Sequence, residues 1–399
     1  MKILAVETSC DETAIAIVKV RENKEEISFK ILGNEISSQI AIHSQYGGVF
    51  PMMAKREHAK NIVGVLEKAL MEAKLYKEKK KISKNDNQTK KKINKILERE
   101  GELFNNFINF VEKIEKPKID AVAVTIGPGL EPALWVGISF AKALSVYLDV
   151  PIIPVNHMEG HIFSVYPKDK DTFIVKKNKK MFPILSLLVS GGHTEFVLIK
   201  DWMKYKKIGK TRDDASGEAF DKVARMLELP YPGGPQISKL ASIDRKENNF
   251  IKERITFPRP MINSKDYDFS FSGLKTAVLY TIRNLKEKNP KILNDIKVKQ
   301  KIAKEFEDSV VEVLTSKTLR ALKEYKAKTL IVGGGVSANN HLEEVMRLNV
   351  DKKIKVYFPT KKLSGDNGLM IAVAGYFQFK NKKINKNFSK IKADGNLSL

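Results

Sequence analysis

Ile184-Leu185-Ser186-Leu187-Leu188-Val189, Ser190-Gly191-Gly192-His193-Thr194, Phe196-Val197-Leu198-Ile199 is the stretch from which the fold is read. Two apolar runs of strand length flank a small polar turn, which predicts a hairpin with bare backbone at its tip. The chain has used this plan once before. Lys2 to Val20 holds a strand, the polar turn Thr8-Ser9-Cys10-Asp11-Glu12-Thr13 and the strand Ala14-Ile15-Ala16-Ile17-Val18. Each hairpin is followed downstream by a strand, a glycine loop and a helix. The first set is Ala121-Val122-Ala123-Val124-Thr125-Ile126, Gly127-Pro128-Gly129 and a helix from Ala133 to Leu148. The second is Thr329-Leu330-Ile331-Val332, Gly333-Gly334-Gly335 and a helix from about Ser337. Elements repeated in one order predict a duplicated α/β fold of two lobes, with a ligand cleft between the copies. The lobes are expected over residues 1–155 and 156–379.

At 399 residues the chain can bury two separate cores, and 42% hydrophobic residues is an ordinary globular share. No run of eighteen apolar residues lacks a charge, so no membrane-spanning helix is expected. The first residues read directly as a strand, without the basic and apolar regions of a signal peptide. Cys10 is the only cysteine. That excludes an internal disulfide and fits a reducing cytoplasm.

The net charge is +24, from 71 Lys+Arg against 47 Asp+Glu. Such an excess points to a polyanionic partner, nucleic acid above all. An AT-rich genome would also raise lysine, isoleucine and asparagine without any functional demand. Ten lysines fall between Lys74 and Lys95. This block reads as a solvated insertion or mobile arm, within an inserted region of about 74–116, and is a candidate contact for nucleic-acid phosphates. Residues 380–399 read as a loose basic tail.

Asn156-His157-Met158-Glu159-Gly160-His161 sets two of the six histidines four residues apart. On a helix these positions share a face, so both imidazoles aim at one spot and supply half of a transition-metal site. Surface histidines at this spacing also occur with nothing bound. Gly160 between them reads as exposed. Ser364-Gly365-Asp366-Asn367-Gly368 offers a carboxylate in a turn ahead of a helical run. Zinc peptidases place glutamate directly after the first histidine. Here Met158 stands there and Glu159 falls one residue later, about 100° further round a helix.

Gly191-Gly192 and Gly333-Gly334-Gly335 let a backbone approach a phosphate and offer its N–H groups. They match neither the P-loop nor the Gly-x-Gly-x-x-Gly pattern. Two such loops in a duplicated fold point to a nucleotide, although glycine turns are also simply turns. Asp11 and Glu12 sit in the first turn, where acids are either solvated or placed to orient a metal–phosphate group or activate a nucleophile. Asp213 and Asp214 suit the positive end of the helix they precede. Asp221 lies beyond that first turn, which makes it a candidate for a ribose hydroxyl. Tyr231-Pro232-Gly233-Gly234-Pro235 is a rigid loop that can wall a planar base or end a helix.

Several stretches together resemble the bacterial branch of the tRNA N6-adenosine threonylcarbamoyltransferases, once described as O-sialoglycoprotein endopeptidases. They are Glu7-Thr8-Ser9-Cys10-Asp11-Glu12-Thr13, Gly127-Pro128-Gly129-Leu130, His157-Met158-Glu159-Gly160-His161 and Leu188-Val189-Ser190-Gly191-Gly192-His193-Thr194. Further along come Asp214-Ala215-Ser216-Gly217-Glu218-Ala219-Phe220-Asp221-Lys222, Tyr231-Pro232-Gly233-Gly234-Pro235 and Asp268-Phe269-Ser270-Phe271-Ser272-Gly273-Leu274-Lys275. Gly334-Gly335-Val336-Ser337-Ala338-Asn339 and Asp366-Asn367-Gly368 complete the set. The resemblance departs at the lysine-rich insertion, the tail, Gly365 before Asp366, and Glu131-Pro132.

The resemblance implies the actin/Hsp70/sugar-kinase (ASKHA) fold. It implies transfer of threonylcarbamoyl from threonylcarbamoyl-AMP to N6 of adenosine 37 in tRNAs reading ANN codons. It also implies that His157, His161 and Asp366 hold a metal, usually Fe(2+), a donor set that would also suit Zn(2+). Leu188, Val189, Ser190, Gly191, Gly192, Asp221, Gly234 and Asn339 would bind the adenylate. Asp11 or Glu12 is the candidate catalytic acceptor of the N6 proton. A catalytically inactive paralogous subunit and a small ATPase are implied as partners. The competing readings are an ATP-dependent small-molecule kinase of the same fold, a metallopeptidase and a non-catalytic nucleotide-binding scaffold.

Overall fold

The computed structural model describes residues 1–79, 87–247, 255–381 and 390–399. The chain forms two compact units. Residues 1–41, 49–178 and 365–399 make the first, and residues 42–48 and 179–364 the second. The expected boundary at residue 155 thus falls inside the first unit, which also takes 156–178 and the chain end. No described helix is long and apolar enough to cross a membrane.

The first unit holds β1 (Lys2–Glu7), β2 (Glu12–Glu22), β3 (Glu26–Ser38), β4 (Ala121–Gly127), β5 (Ile152–Asn156), β6 (Pro167–Asp169) and β7 (Thr172–Lys176). Their sheet order is β5-β4-β1-β2-β3-β7-β6. β1 pairs antiparallel with β2, and parallel with β4. Alternation gives this sheet two unlike faces. Leu4, Val6, Ile15, Ile17, Val122 and Val124 join the core built with the helices Pro51–Glu72 and Glu131–Leu148. The opposite face carries Ala5, Ala16 and Ala123, paired across neighbouring strands. Against it lies the helix Gly368–Lys380. A Cβ on Gly368 would stand 2.6 Å from the Ala16 nitrogen, and one on Gly375 2.8 Å from the Ala123 Cβ. Small residues on both partners allow this close approach.

In the second unit β8 (Ile184–Val189), β9 (Thr194–Asp201), β10 (Lys204–Lys210), β11 (Thr329–Gly333) and β12 (Lys355–Tyr357) run in the order β10-β9-β8-β11-β12. This repeats β3-β2-β1-β4-β5 strand for strand, with the same parallel and antiparallel pairs. The duplication expected from the hairpins is the architecture of the molecule, in agreement with the actin/Hsp70/sugar-kinase fold. The helix expected from about Ser337 begins instead at Asn340, after a short 3₁₀ turn over Gly335–Ala338.

Two expectations are corrected. Part of the lysine-rich segment lies outside the described residues, but Asn87–Leu97 is a helix, not a mobile arm. Its Ile93 and Leu97 are fully buried in the first core, while Lys91, Lys92 and Lys95 face solvent. Apolar residues four apart gave this block a core stripe that its lysine count concealed. The tail is likewise not loose over 390–399. Ile391 is buried, and its carbonyl accepts from Lys142 Nζ at 2.8 Å. The Asp394 N–H donates to the Ile126 carbonyl at 2.9 Å, and Gly129 N–H to the Gly395 carbonyl at 3.2 Å. A side chain at Gly127, whose φ is +149°, would overlap the Asp394 carbonyl. Residues 382–389 lie outside the described residues.

Lys317 is fully buried on the helix Ile296–Glu324. Its Nζ donates to Ser264 Oγ at 2.7 Å and to the Asp266 carbonyl at 3.4 Å. Burial, helped by the Arg320 charge, pushes the amine down to about 8. Between that value and the 10.5 of an exposed lysine, the unfolded chain holds the proton and the folded chain does not. Lysine here therefore costs stability below pH 8, a cost that vanishes as pH rises to 10.5. Lys317→Met is expected to melt higher than the parent at pH 7, by about 1–3 kcal/mol of stability. The gain should shrink between pH 8 and 10.5. Calorimetry across this range checks it, and a variant that melts lower at pH 7 would show that the Ser264 bond outweighs the desolvation.

Candidate functional site

The histidine pair does lie on a helix, His157–Phe163, started by Asn156, whose side chain accepts from the Met158 N–H at 2.8 Å. The two rings sit with centroids 4.6 Å apart, nearly perpendicular. Gly160 is buried rather than exposed. A Cβ there would stand 2.9 Å from Met370 Cγ and 3.0 Å from Ile371 Cδ1, on the helix that follows Asp366. The glycine thus lets the histidine helix pack against Gly368–Lys380, and this packing brings Asp366 to the histidines. Asp366 Oδ1 lies 3.3 Å from Nε2 of both His157 and His161.

Among the described residues, these three offer ligand atoms that all lie within 4.8 Å of one another. Neither ring nitrogen of the buried His161 has a hydrogen bond among the described residues, although Asp366 is near. A buried polar atom left without a partner is costly, and a cation at this point would relieve it. Two imidazoles and one carboxylate suit a divalent transition metal. Burial opposes charge on both rings. In His157 the carboxylates of Asp366 and Glu7 outweigh it and raise the imidazole well above its ordinary value. In His161 burial wins and the value is lowered. Asp366 is held well below the usual carboxylate range, the paired histidines overcoming its burial.

Sequence reasoning missed Glu7. This carboxylate is fully buried at the end of β1. The His157 Nδ1–H donates to its Oε2 at 3.1 Å, which leaves Nε2 to face Asp366 and His161. Thr125 Oγ1 donates to Oε2 at 2.6 Å and the Ser9 N–H to Oε1 at 2.5 Å. A carboxylate behind a ligating histidine fixes its tautomer and raises its basicity. The sequence held one signal: an acid ending a strand otherwise wholly apolar after Lys2. Glu7→Gln is expected to weaken metal binding about 10–100-fold. Competition titration with a chromophoric chelator checks this, and a parental affinity would make Glu7 a packing residue.

Asp11 is buried and Glu12 half-buried, in the turn between β1 and β2. Burial, with Asp366 and Asp11 close by, pushes Glu12 up to about 10. A hydrogen bond with Asp11 adds to this rise. Ser9 Oγ lies 3.2 Å from His157 Nδ1 and 3.5 Å from Asp366 Oδ2. The acid turn and the three candidate ligands therefore belong to one cluster in the first unit. Glu159 does not. Its buried carboxylate accepts from Gln378 Nε2 at 2.6 Å.

The residues expected to meet an adenylate lie in the second unit. Leu188 and Val189 are fully buried strand residues of β8, so their side chains are core. Ser190 Oγ accepts from the His193 N–H at 3.1 Å, which closes the turn. Gly191 and Gly192 are exposed at its tip, with open space where a Cβ would stand. Asp221 Oδ1 accepts from the Gly233 N–H at 2.7 Å and ties the Tyr231–Pro235 loop to the helix Ser216–Met226. Gly234 is likewise uncrowded. Asn339 caps the helix Asn340–Asn349 through the Leu342 N–H at 2.9 Å. Its Nδ2 donates to Ser238 Oγ at 2.9 Å and Glu307 Oε1 at 2.6 Å. Asp213 does not serve the helix it precedes. It accepts from the N–H groups of Phe271 and Ser272, capping the helix Ser272–Lys288 instead.

The family model for tRNA N6-adenosine threonylcarbamoyltransferase matches residues 30–82 and 102–373, leaving out the whole Asn87–Leu97 helix. A protein of that description from Staphylococcus haemolyticus (strain JCSC1435) is 41% identical over 94% of this chain and 91% of its own length. One from Thermosipho africanus (strain TCF52B) is 41% identical over 95% of each. One from Persephonella marina (strain DSM 14350 / EX-H1) is 40% identical over 95% of this chain and 91% of its own. Among solved structures, full-length HypF in its phosphate- and nucleotide-bound form aligns with a TM-score of 0.48, at 13% identity over 95% of this chain and 55% of that one.

Proposed function

The chain belongs to the tRNA N6-adenosine threonylcarbamoyltransferase family, an acyltransferase family, and on that premise we propose its reaction. Threonylcarbamoyl passes from threonylcarbamoyl-AMP to N6 of adenosine 37 in tRNAs reading ANN codons, and AMP leaves. The observation that carries this reading is the convergence of His157, His161 and Asp366 beside the turn bearing Asp11 and Glu12. His157, His161 and Asp366 would hold one metal per chain, Fe(2+) in our reading with Zn(2+) as the other fit. Bound there, the metal would supply Lewis acidity toward a carbamoyl or phosphate oxygen.

Adenine N6 is a weak nucleophile because its lone pair is delocalised into the ring. The donor is a mixed anhydride, so the protein must chiefly align the two and accept a proton. Asp11 and Glu12, in the turn beside the candidate metal ligands, are the candidate acceptors of that proton. The Ser190–His193 turn and the Gly333–Gly335 loop offer backbone N–H groups to the adenylate. Asp221, Gly234 and Asn339 act on it through the walls they hold together. Proposed partners are tRNA, an inactive paralogous subunit and a small ATPase, and the proposed compartment is the cytoplasm, where tRNA is modified.

The purified chain, with its partners, preformed threonylcarbamoyl-AMP and a suitable tRNA, is expected to yield the modified nucleoside at position 37 and stoichiometric AMP. Nucleoside mass analysis reads the product. Unmodified A37 in a competent tRNA would overturn the assignment, and turnover of ATP with a sugar or acetate would favour a kinase.

A further inference from the structure

The turn that bears the two acids is held from behind by its own backbone. Three successive carbonyls each have a donor from a different element. Ser9 O accepts from the Leu130 N–H at 2.8 Å, and Asp11 O from the Gln39 N–H at 2.9 Å. Between them Cys10 O lies 3.0 Å from Nε2 of His58, on the helix Pro51–Glu72. The first and last donors are main chain. The middle one is a fully buried imidazole.

Its partners fix its proton. A carbonyl only accepts, so Nε2 carries the hydrogen. Nδ1 lies 2.7 Å from Thr13 Oγ1 and 3.3 Å from Gln39 Nε2. Gln39 Nε2 also donates to the Ala54 carbonyl at 3.4 Å, which sets that amide's orientation. Nδ1 therefore faces donors and accepts. Thr13 O–H to Nδ1 and Nε2–H to Cys10 O form one chain of hydrogen bonds, running from β2 through the ring to the turn.

We propose that His58 is a positioning residue for the Ser9–Glu12 turn, its Nε2–H holding the Cys10 carbonyl so that Asp11 and Glu12 stay aligned beside the metal ligands. This rests on the reading of those acids as the groups nearest the reacting atoms. Proton transfer tolerates little displacement, because the acceptor must lie within hydrogen-bond reach. The ring acts on the acids through the backbone, by way of the Cys10 carbonyl.

Cys10 is the only thiol in the chain and sits in the turn, so its labelling rate with Ellman's reagent reports the turn independently of catalysis. His58→Phe fills the space without either hydrogen bond. Its Cys10 should label about tenfold faster, the effect of losing about 1.4 kcal/mol of hold. Its kcat should fall roughly 100-fold, with the KM for tRNA and the metal content unchanged. His58→Gln, which can present an N–H at similar reach, should restore both readouts toward the parent. Parental labelling in His58→Phe overturns the proposal. So does faster labelling with an unchanged kcat, or a glutamine variant as slow as the phenylalanine one. If His58→Phe does not fold, Thr13→Val removes the donor to Nδ1 and should shift both readouts in the same direction. Parental values in both would again overturn it. A parent chain that leaves tRNA unmodified, while labelling still separates the variants, removes the functional reading and supports the clamp.

Discussion

Asp366→Asn is expected to lose its metal and keep its fold. The side chain keeps its shape, but the one anionic member of the ligand set becomes a neutral amide. The loss should exceed the roughly 10–100-fold that follows removal of a group which only orients a ligand. Transferase activity should fall with it. The parent's affinity should itself decline as pH drops, because the imidazoles must be unprotonated to bind and His157 holds its proton unusually well. Chelator competition with Fe(2+) or Zn(2+) measures the affinity, and far-UV circular dichroism the fold. Glu159→Gln is the matched control, since Glu159 is turned to Gln378 and should leave metal binding as it was. An Asp366→Asn chain that binds metal as tightly as the parent would mean that the two histidines use another partner.

Gly334→Ala is expected to damage the second unit at the proposed adenylate site. Gly334 has φ +91°, a conformation that side chains rarely adopt. A Cβ there would stand 2.8 Å from the Val189 carbonyl carbon and closer still to its oxygen. Both obstacles are backbone, so neither a rotamer change nor a flexible side chain can relieve them. Strain in this region costs about 1–3 kcal/mol and overpacking about as much again. For a unit of this size that is roughly 4–24 °C in melting temperature. The displaced group is the backbone just ahead of the Ser190–His193 turn, so AMP binding should weaken more than tenfold, by about 1.4 kcal/mol or more. Differential scanning fluorimetry and calorimetric titration with AMP give the two readouts. Lower stability with parental AMP affinity would separate the glycine loop from the nucleotide.

Much of this was legible locally. The apolar run Ala14-Ile15-Ala16-Ile17-Val18 announced a strand, and the hairpin repeated at Ile184 announced the duplication. Four-residue spacing placed His157 and His161 on one helical face. Lysine count misled at Asn87–Leu97, because composition does not register a two-residue stripe of Ile93 and Leu97. Asn339 is an adenylate contact by resemblance, and in the structure its amide meets a helix end, Ser238 and Glu307.

What the sequence determined by itself is what backbone period and side-chain size dictate over a few residues: strands, hairpin tips, helix faces and the residue types at hand. Only the tertiary structure decided which of these meet. Asp366 reaches the histidines because Gly160 admits the helix of Met370 and Ile371. It is held at that height because Gly368 and Gly375 admit the same helix onto the alanine face of the first sheet. Glu7 becomes the partner of His157 only once β1 and the His157–Phe163 helix end side by side. Direction along a chain is a local property. Convergence depends on how closely distant surfaces can pack, and here that is set by missing side chains, which leave no pattern in the sequence.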